Sequence, residues 1–407
     1  MPSAGQPLSP KPEGAASPAR SLAAQLALAT FCRLILNTSR RFAYPFAPVL
    51  SRGLDVPLSA VTTMIAANQA TGMLALLFGP LGDRFGYRIM MMVGLGLMAA
   101  GMLTGAILPA YVVVLTALAL AGLGKNLFDP SIQAYVGEKV PYERRALVVG
   151  LIEISWAGST LIGVPLVGLL IEYGSWRSPF WVIGGLGLVG MVLLKVLMPN
   201  EAIRPAIPSR PRGFFRAWLG LARNRTASCM MAFAFLVSAG NDNLFVTYGI
   251  WFESTFQMRI AALGFGTALI GLAELGGESL TVLLGDRLGK KRALAGGLLT
   301  AAAAYAALPF LETSLPWTLA GVFLVFLATE FSIVTSLSLA TEIIPESRAT
   351  MMSGYLAAAG IGRVAGALAG GLMWGHGGIT AVAGLSAILT LSALCVMLRG
   401  LAGGRRW

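Results

Sequence analysis

Eleven ionisable residues fall inside long apolar stretches of this chain: Arg33, Arg40, Arg41, Lys125, Asp129, Glu153, Asp242, Glu274, Glu278, Glu330 and Arg363. Two kinds of chemistry are open to them. A guanidinium grips a carboxylate or phosphate through paired, charge-assisted hydrogen bonds. A carboxyl group held out of water without a cationic neighbour favours its protonated form and can load and release a proton. Arg33, Asn37, Arg40 or Arg41, and Tyr44 recur at steps of three or four, so they stack along one side of a helix. Lys125, Asp129 and Gln133 do the same, as do Glu274, Glu278 and Thr281. Ser238, Asn241, Asp242, Phe245 and Tyr248 make a mixed polar and aromatic stripe.

The basic residues, with Asn37, Tyr44, Asn241 and Tyr248, are candidates to meet a negatively charged solute. Asp242, Glu278 and Glu330 have no basic residue close by in sequence and are the leading proton carriers, with Glu274, Asp129 and Glu153 behind them. Lys125 and Asp129, four residues apart, fit an ion pair that merely holds helices together equally well. Only one of Arg40 and Arg41 can fully share the face of Arg33, because adjacent helical residues point about 100° apart. The other is expected to pair with an acid or a helix end.

The elements that must position these groups follow from composition. Hydrophobic residues make up 56% of the chain and charged ones 12%, with a mean hydropathy of +0.75. Soluble domains carry roughly 25% charged residues, so this chain belongs in a bilayer, and each ionisable group within it must face a polar cavity or a partner. Taking roughly 20 apolar residues per crossing, the sequence predicts twelve spans, near 22–50, 58–79, 88–108, 111–136, 147–171, 179–198, 227–252, 261–284, 292–310, 315–340, 350–374 and 378–398. Residues 22–198 and 226–398 then form two six-helix bundles joined by a proline- and arginine-rich linker at 199–225, with tails at 1–21 and 399–407. Spans 3, 6, 9 and 12 carry no central charge and are expected to be peripheral scaffold; Lys195 is near enough to the end of span 6 to snorkel.

The formal net charge of +12 does not indicate nucleic acid, because the basic residues are scattered between apolar spans. It tracks topology instead. If the N-terminus is inside, 22 of the 30 Lys and Arg lie in segments on that side and only Arg52, Arg177 and Arg259 on the other. Short cytoplasmic loops carry such an excess, so both termini are expected in the cytoplasm. Cys32, Cys229 and Cys395 sit in separate spans with no paired or metal-type spacing, and the single histidine, His376, lies between glycines in an outer loop. No cofactor, metal site or catalytic cluster is expected, and a receptor or a membrane-embedded enzyme is the weakest reading.

Between spans 2 and 3 lies Gly79-Pro80-Leu81-Gly82-Asp83-Arg84-Phe85-Gly86-Tyr87-Arg88. Its core returns 203 residues later as Gly285-Asp286-Arg287-Leu288-Gly289, and Arg145, Gly163 and Gly168 return as Arg348, Gly366 and Gly371 at the same offset. Same-sense duplication of this kind is known in transporters whose halves are related by an axis along the membrane normal. The stretch resembles the cytoplasmic loop motif of the major facilitator superfamily, and the likeness extends over nearly the whole chain. Gly158, Gly163, Pro165 and Gly168, with the following 174–180 segment, resemble the glycine-proline signature of proton-driven exporters. Gly124-Lys125-Asn126-Leu127 departs from the arginine and glutamine-glycine pattern those exporters carry in span 4.

The resemblance implies a gate in which Gly79, Gly82, Asp83, Arg84, Gly86 and Arg88, and more weakly Asp286 and Arg287, hold one domain arrangement. Asp83 would face the start of span 11 near Ala349 and Thr350. With the residues above, it predicts a proton-coupled secondary transporter of the bacterial inner membrane. This would export a small amphipathic, anionic or zwitterionic organic solute by alternating access. An importer or facilitator of an organic anion is the alternative. The partners expected are the solute, protons and lipid, with the chain acting as a monomer.

Overall fold

The computed structural model describes residues 22–74, 85–199, 223–344 and 348–402. Inside hydrocarbon no water satisfies backbone N–H and C=O groups, so a long apolar run must bond to itself as a helix. The described residues are helical, with turns and no strand. Ten of the helices are long and apolar enough to cross a membrane. The last, Met351–Gly400, is two helices joined at Gly377 and Gly378, whose backbone is not helical. Span 2 runs as Leu58–Ala70 and a 3-10 turn, Thr71–Leu74, up to the end of the described segment. The architecture is compatible with twelve spans. The tail at 1–21, linker residues 200–222, and Gly79, Gly82, Asp83 and Arg84 of the loop motif lie outside the described residues.

The duplication is written into the backbone. Four of the five positive-φ residues among those described form two pairs at nearly the repeat distance. Gly86 and Gly289, at φ 91° and 77°, open spans 3 and 9; a residue without a Cβ adopts these angles freely. Asp55 and Gln257, at φ 53° and 52°, close spans 1 and 7.

Spans 1 and 7 are not the continuous helices that their apolar runs predict. Span 1 is Leu22–Arg41, a turn, and Ala47–Leu54. Pro45 lies in that turn and has no N–H to continue a helical ladder. Span 7 is Arg225–Phe245 and Tyr248–Phe256. At its break the Thr247 hydroxyl donates to the Asn243 and Leu244 carbonyls, competing with the backbone for the same acceptors. The two breaks face each other across the halves. A Cβ on Gly249 would fall 2.3 Å from the Pro45 carbonyl oxygen, so only glycine allows this approach.

The halves press together toward the face that carries Arg52, Arg177 and Arg259. Gly168 of span 5 lies against Ile260 and Ala261 of span 8, and Gly264 against Pro165. Span 5 also departs from α geometry, with a π turn at Ser159–Gly163 where Gly163 rests on Thr38. The signature glycines therefore make close helix crossings. Two ion pairs clasp the same face: Arg52 with Glu253 at 2.7 Å, and Arg259 with Glu172. Glu172 also accepts the Ala261 backbone N–H at 2.6 Å, at the start of span 8. A carboxylate is favoured there by the helix dipole.

Candidate functional site

Where the two breaks meet, a cavity of about 40 Å³ opens between the halves. The first half lines it with Arg40, Arg41, Tyr44, Gln69 and Trp156; the second with Asn241, Asp242, Phe245, Glu274, Glu330, Ile333 and Arg363. These residues come from spans 1, 2, 5, 7, 8, 10 and 11. Spans 3, 6, 9 and 12 contribute none, in keeping with sequences that carry no central charge. The volume is room for about three water molecules, whereas sites for drug-sized ligands run to roughly 300–1,000 Å³. A solute larger than that fits only when the halves move.

Arg41 and Glu274 form a buried, two-pronged ion pair across the halves, one arm at 3.1 Å. The Arg41 guanidinium also lies 4.1 Å from the Trp156 ring centroid and donates to Thr160. A second inter-half bond runs from the Tyr44 hydroxyl to Asp242 Oδ1 at 3.0 Å. Gln69 donates to that Tyr44 hydroxyl and accepts from Arg40, so Arg40, Gln69, Tyr44 and Asp242 make one hydrogen-bonded chain. Arg363 Nε approaches Asp242 Oδ2 at 4.0 Å. Asp242 thus has the basic neighbour that its local sequence lacks, supplied by span 11.

A separate cluster lies within the first half. Arg33 donates to Asp129 and Glu153, each at 3.0 Å, and to the Ile152 carbonyl at 3.1 Å and Ser155 Oγ at 3.2 Å. Lys125 pairs with Asp129 as its i,i+4 spacing allows, and Asn37 donates to Ser155 at 3.4 Å. Arg33, Lys125 and Asn37, expected to face solute, are therefore spent on their own half and do not line the cavity. Their neutralisation leaves Arg40 and Arg41 as the charge that the first half presents to the second.

The sequence expects one of Arg40 and Arg41 to share the Arg33 face and the other to pair with an acid or a helix end; in the structure the arginine on that face is the one that takes the acid, and both line the cavity. Arg41 continues the Arg33 and Asn37 face toward span 5 and takes the acid. Arg40 points toward Gln69, and the first helix of span 1 ends at Arg41, so neither direction is blocked by a further helical turn. Tyr248 is buried on Thr267 and stacked on Phe245 at 5.5 Å, outside the lining, and Glu278 is partly exposed and outside it as well. Gln69 and Trp156 are absent from the sequence candidates because uncharged groups enter only along stripes running through a charged residue; span 2 carries no charge in its apolar run, and a mid-span amide there is the signal that points to Gln69. Of the loop motif, Gly86 takes the left-handed turn, and Arg88 donates to the Met198 carbonyl at 2.9 Å, closing the end of span 6. Arg287 is exposed, and the side chains of Asp286, Ala349 and Thr350 lie outside the described residues.

The geometry is that of two bundles with a charged cavity at their interface, and comparison with known proteins agrees. The chain is similar to the uncharacterized MFS-type transporter YceJ of Bacillus subtilis (strain 168), 26% identical over 88% of this chain and 92% of that one. It is also similar to the putative uncharacterized transporter YgaY of Escherichia coli (strain K12), 26% identical over 89% and 92%. Among solved structures, a bacterial homolog of the human lysosomal transporter Spinster, in an inward-facing and unoccupied conformation, superposes with a TM-score of 0.75. That match covers 95% of this chain and 96% of the other at 14% identity, which speaks to the fold. The sequence model of the Major Facilitator Superfamily matches residues 27–277 and 230–403, and the chain belongs to that superfamily.

Proposed function

We propose that the chain is a proton-coupled secondary transporter that exports a small amphipathic organic solute, anionic or zwitterionic, by alternating access across a bacterial inner membrane. The observation that carries this reading is the cavity between the halves, where arginines of one bundle meet carboxylates of the other. Asp242 is the proton site in this reading. It is buried, and its bond from Tyr44 crosses the halves, so a change in its charge bears directly on whether they stay together. Glu330 and Glu278 are the further candidates. Both termini lie in the cytoplasm. The Glu172 and Arg52 clasps then close the outer face, and the loop motif around Asp83 closes the inner one in the alternate state.

The test is a solute panel in proteoliposomes of known orientation, run with and without an imposed pH gradient. Accumulation driven by proton counterflow is expected, and Asp242→Asn should abolish it while leaving solute exchange intact, because exchange needs no net proton movement. Full gradient-driven accumulation by Asp242→Asn, Glu330→Gln and Glu278→Gln alike would overturn the coupling. Accumulation in the opposite sense would make the protein an importer.

A further inference from the structure

The cavity residues are unequally satisfied, and what remains unspent has a pattern. Arg41 is committed to Glu274, Thr160 and the Trp156 carbonyl, and one oxygen of Asp242 to Tyr44. Arg40 uses one terminal nitrogen on Gln69, while its Nε is buried with no partner. Arg363 touches only the edge of Asp242, at 4.0 Å, and keeps about a third of its side chain exposed. The donors left over are therefore two guanidinium groups, one from span 1 and one from span 11, on opposite halves of the same cavity. Facing them are two leftover acceptors. Glu330 has no hydrogen bond or ion pair among the described residues, and Asn241 Oδ1 is buried without a partner.

Resting on the transport reading above, the geometry points to a zwitterion as the solute: an acid group held between Arg40 and Arg363, and an ammonium group held by Glu330 and Asn241. The three arginines and three carboxylates that line the cavity, Asp242 beside Arg363 among them, already balance in charge, so a solute with one group of each sign leaves that balance intact, and a guanidinium matches a carboxylate or phosphate in shape as well as charge. An unpaired carboxylate and an unpaired amide carbonyl both accept, which fits the three donors of an ammonium. An anion alone would leave Glu330 and Asn241 unmet, and a cation alone would leave both arginines unmet. An acid group bridging Arg40 and Arg363 also ties the two bundles together, so the bound solute would favour the occluded arrangement.

The experiment is binding, measured as thermal stabilisation of the purified full-length chain in detergent at one pH. The probes are trios that share a carbon skeleton: leucine, 4-methylpentanoate and 3-methylbutylamine; phenylalanine, 3-phenylpropanoate and phenethylamine; phosphoethanolamine, ethyl phosphate and ethylamine. In at least one trio the zwitterion should bind about tenfold or more tightly than either singly charged analogue, the span expected for one charged hydrogen-bonded contact. Glu330→Gln should bring that zwitterion down to the level of its anion and leave the anion within about threefold, whereas Arg363→Gln should weaken both. A residue that only supports the fold would weaken all probes together. Singly charged analogues that bind as well as the zwitterions, or no zwitterion that binds, would overturn the assignment. The measurement uses no gradient. Zwitterion binding without proton-driven transport would leave this inference standing and remove proton coupling, while proton-driven transport of a plain anion would do the reverse.

Discussion

Span 1 carries two arginine sites two helical turns apart, and they do opposite things. Arg33 sits among Asp129, Glu153 and Lys125, all from its own bundle, so every bond it makes persists however the bundles tilt. Arg41, with the same side chain on the same helix, bonds Glu274 of the other bundle, so its pair must break whenever the halves part. A buried ion pair is costly to leave half-made. Within a rigid body that cost is felt by folding. Between two bodies it is felt by the equilibrium between conformations.

The sharpest way to break this comparison is Arg33→Ala. Asp129 would be left with Lys125 alone and the partly exposed Glu153 without its ion-pair partner, and folded stability should fall by about 3 kcal/mol, the low end for breaking a buried pair, read as a lower unfolding temperature and yield. A variant that folds normally and shows only a raised apparent KM would place Arg33 in the solute path after all.

Glu274→Gln should act differently. It keeps the shape of the inter-half contact but removes its charge, worth about 1.5–3 kcal/mol or a shift of roughly 10- to 100-fold in population. Cysteine probes placed near Gly168 and Gly264 should label faster, with a smaller loss of stability than for Arg33→Ala. Unchanged labelling would show that the pair persists in both conformations. Gly249→Ala tests the same interface by shape alone. Its Cβ collides with the Pro45 carbonyl, and overpacking by one methyl group costs about 1–2 kcal/mol, so it too should favour parting of the halves on that face. Equal labelling of wild type and variant would mean that the two breaks need not be this close.

The smallest effect belongs to the exposed clasp. Arg52→Gln removes a pair whose arginine is 58% exposed; such pairs contribute at most about 1 kcal/mol and are screened by salt. Labelling should rise slightly at low salt and not at all at high salt. A large effect that salt does not remove would put this clasp in the same class as Arg41 and Glu274.

Much of the scaffold could be read directly. The 203-residue offset found in the loop motifs reappears in the backbone as the Gly86 and Gly289 turns, since a left-handed position selects glycine locally. The Lys125 and Asp129 pair was equally legible, being an i,i+4 contact on one helix. The breaks in spans 1 and 7 were not. Hydropathy does not register them, because Phe42–Phe46 and Val246–Thr247 are as apolar as the helices they interrupt. The cluster around Arg33 was hidden for a related reason: its partners stand 96 and 120 residues away in the chain.

Composition, periodicity and internal repetition are properties of the chain alone, and they settle that it spans a bilayer in two like halves and which spans carry charge. Helical spacing can place two side chains on one face, since that geometry is local. It cannot say what that face meets, and here adjacent residues diverge: Arg40 takes Gln69 of its own half, and Arg41 takes Glu274 of the other. Partner choice was decided by how span 5 crosses spans 1 and 8 and how the two broken helices abut at Pro45 and Gly249. In hydrocarbon an arginine has no water to fall back on, so whichever acid that packing brings within reach determines whether it holds a bundle together or joins two.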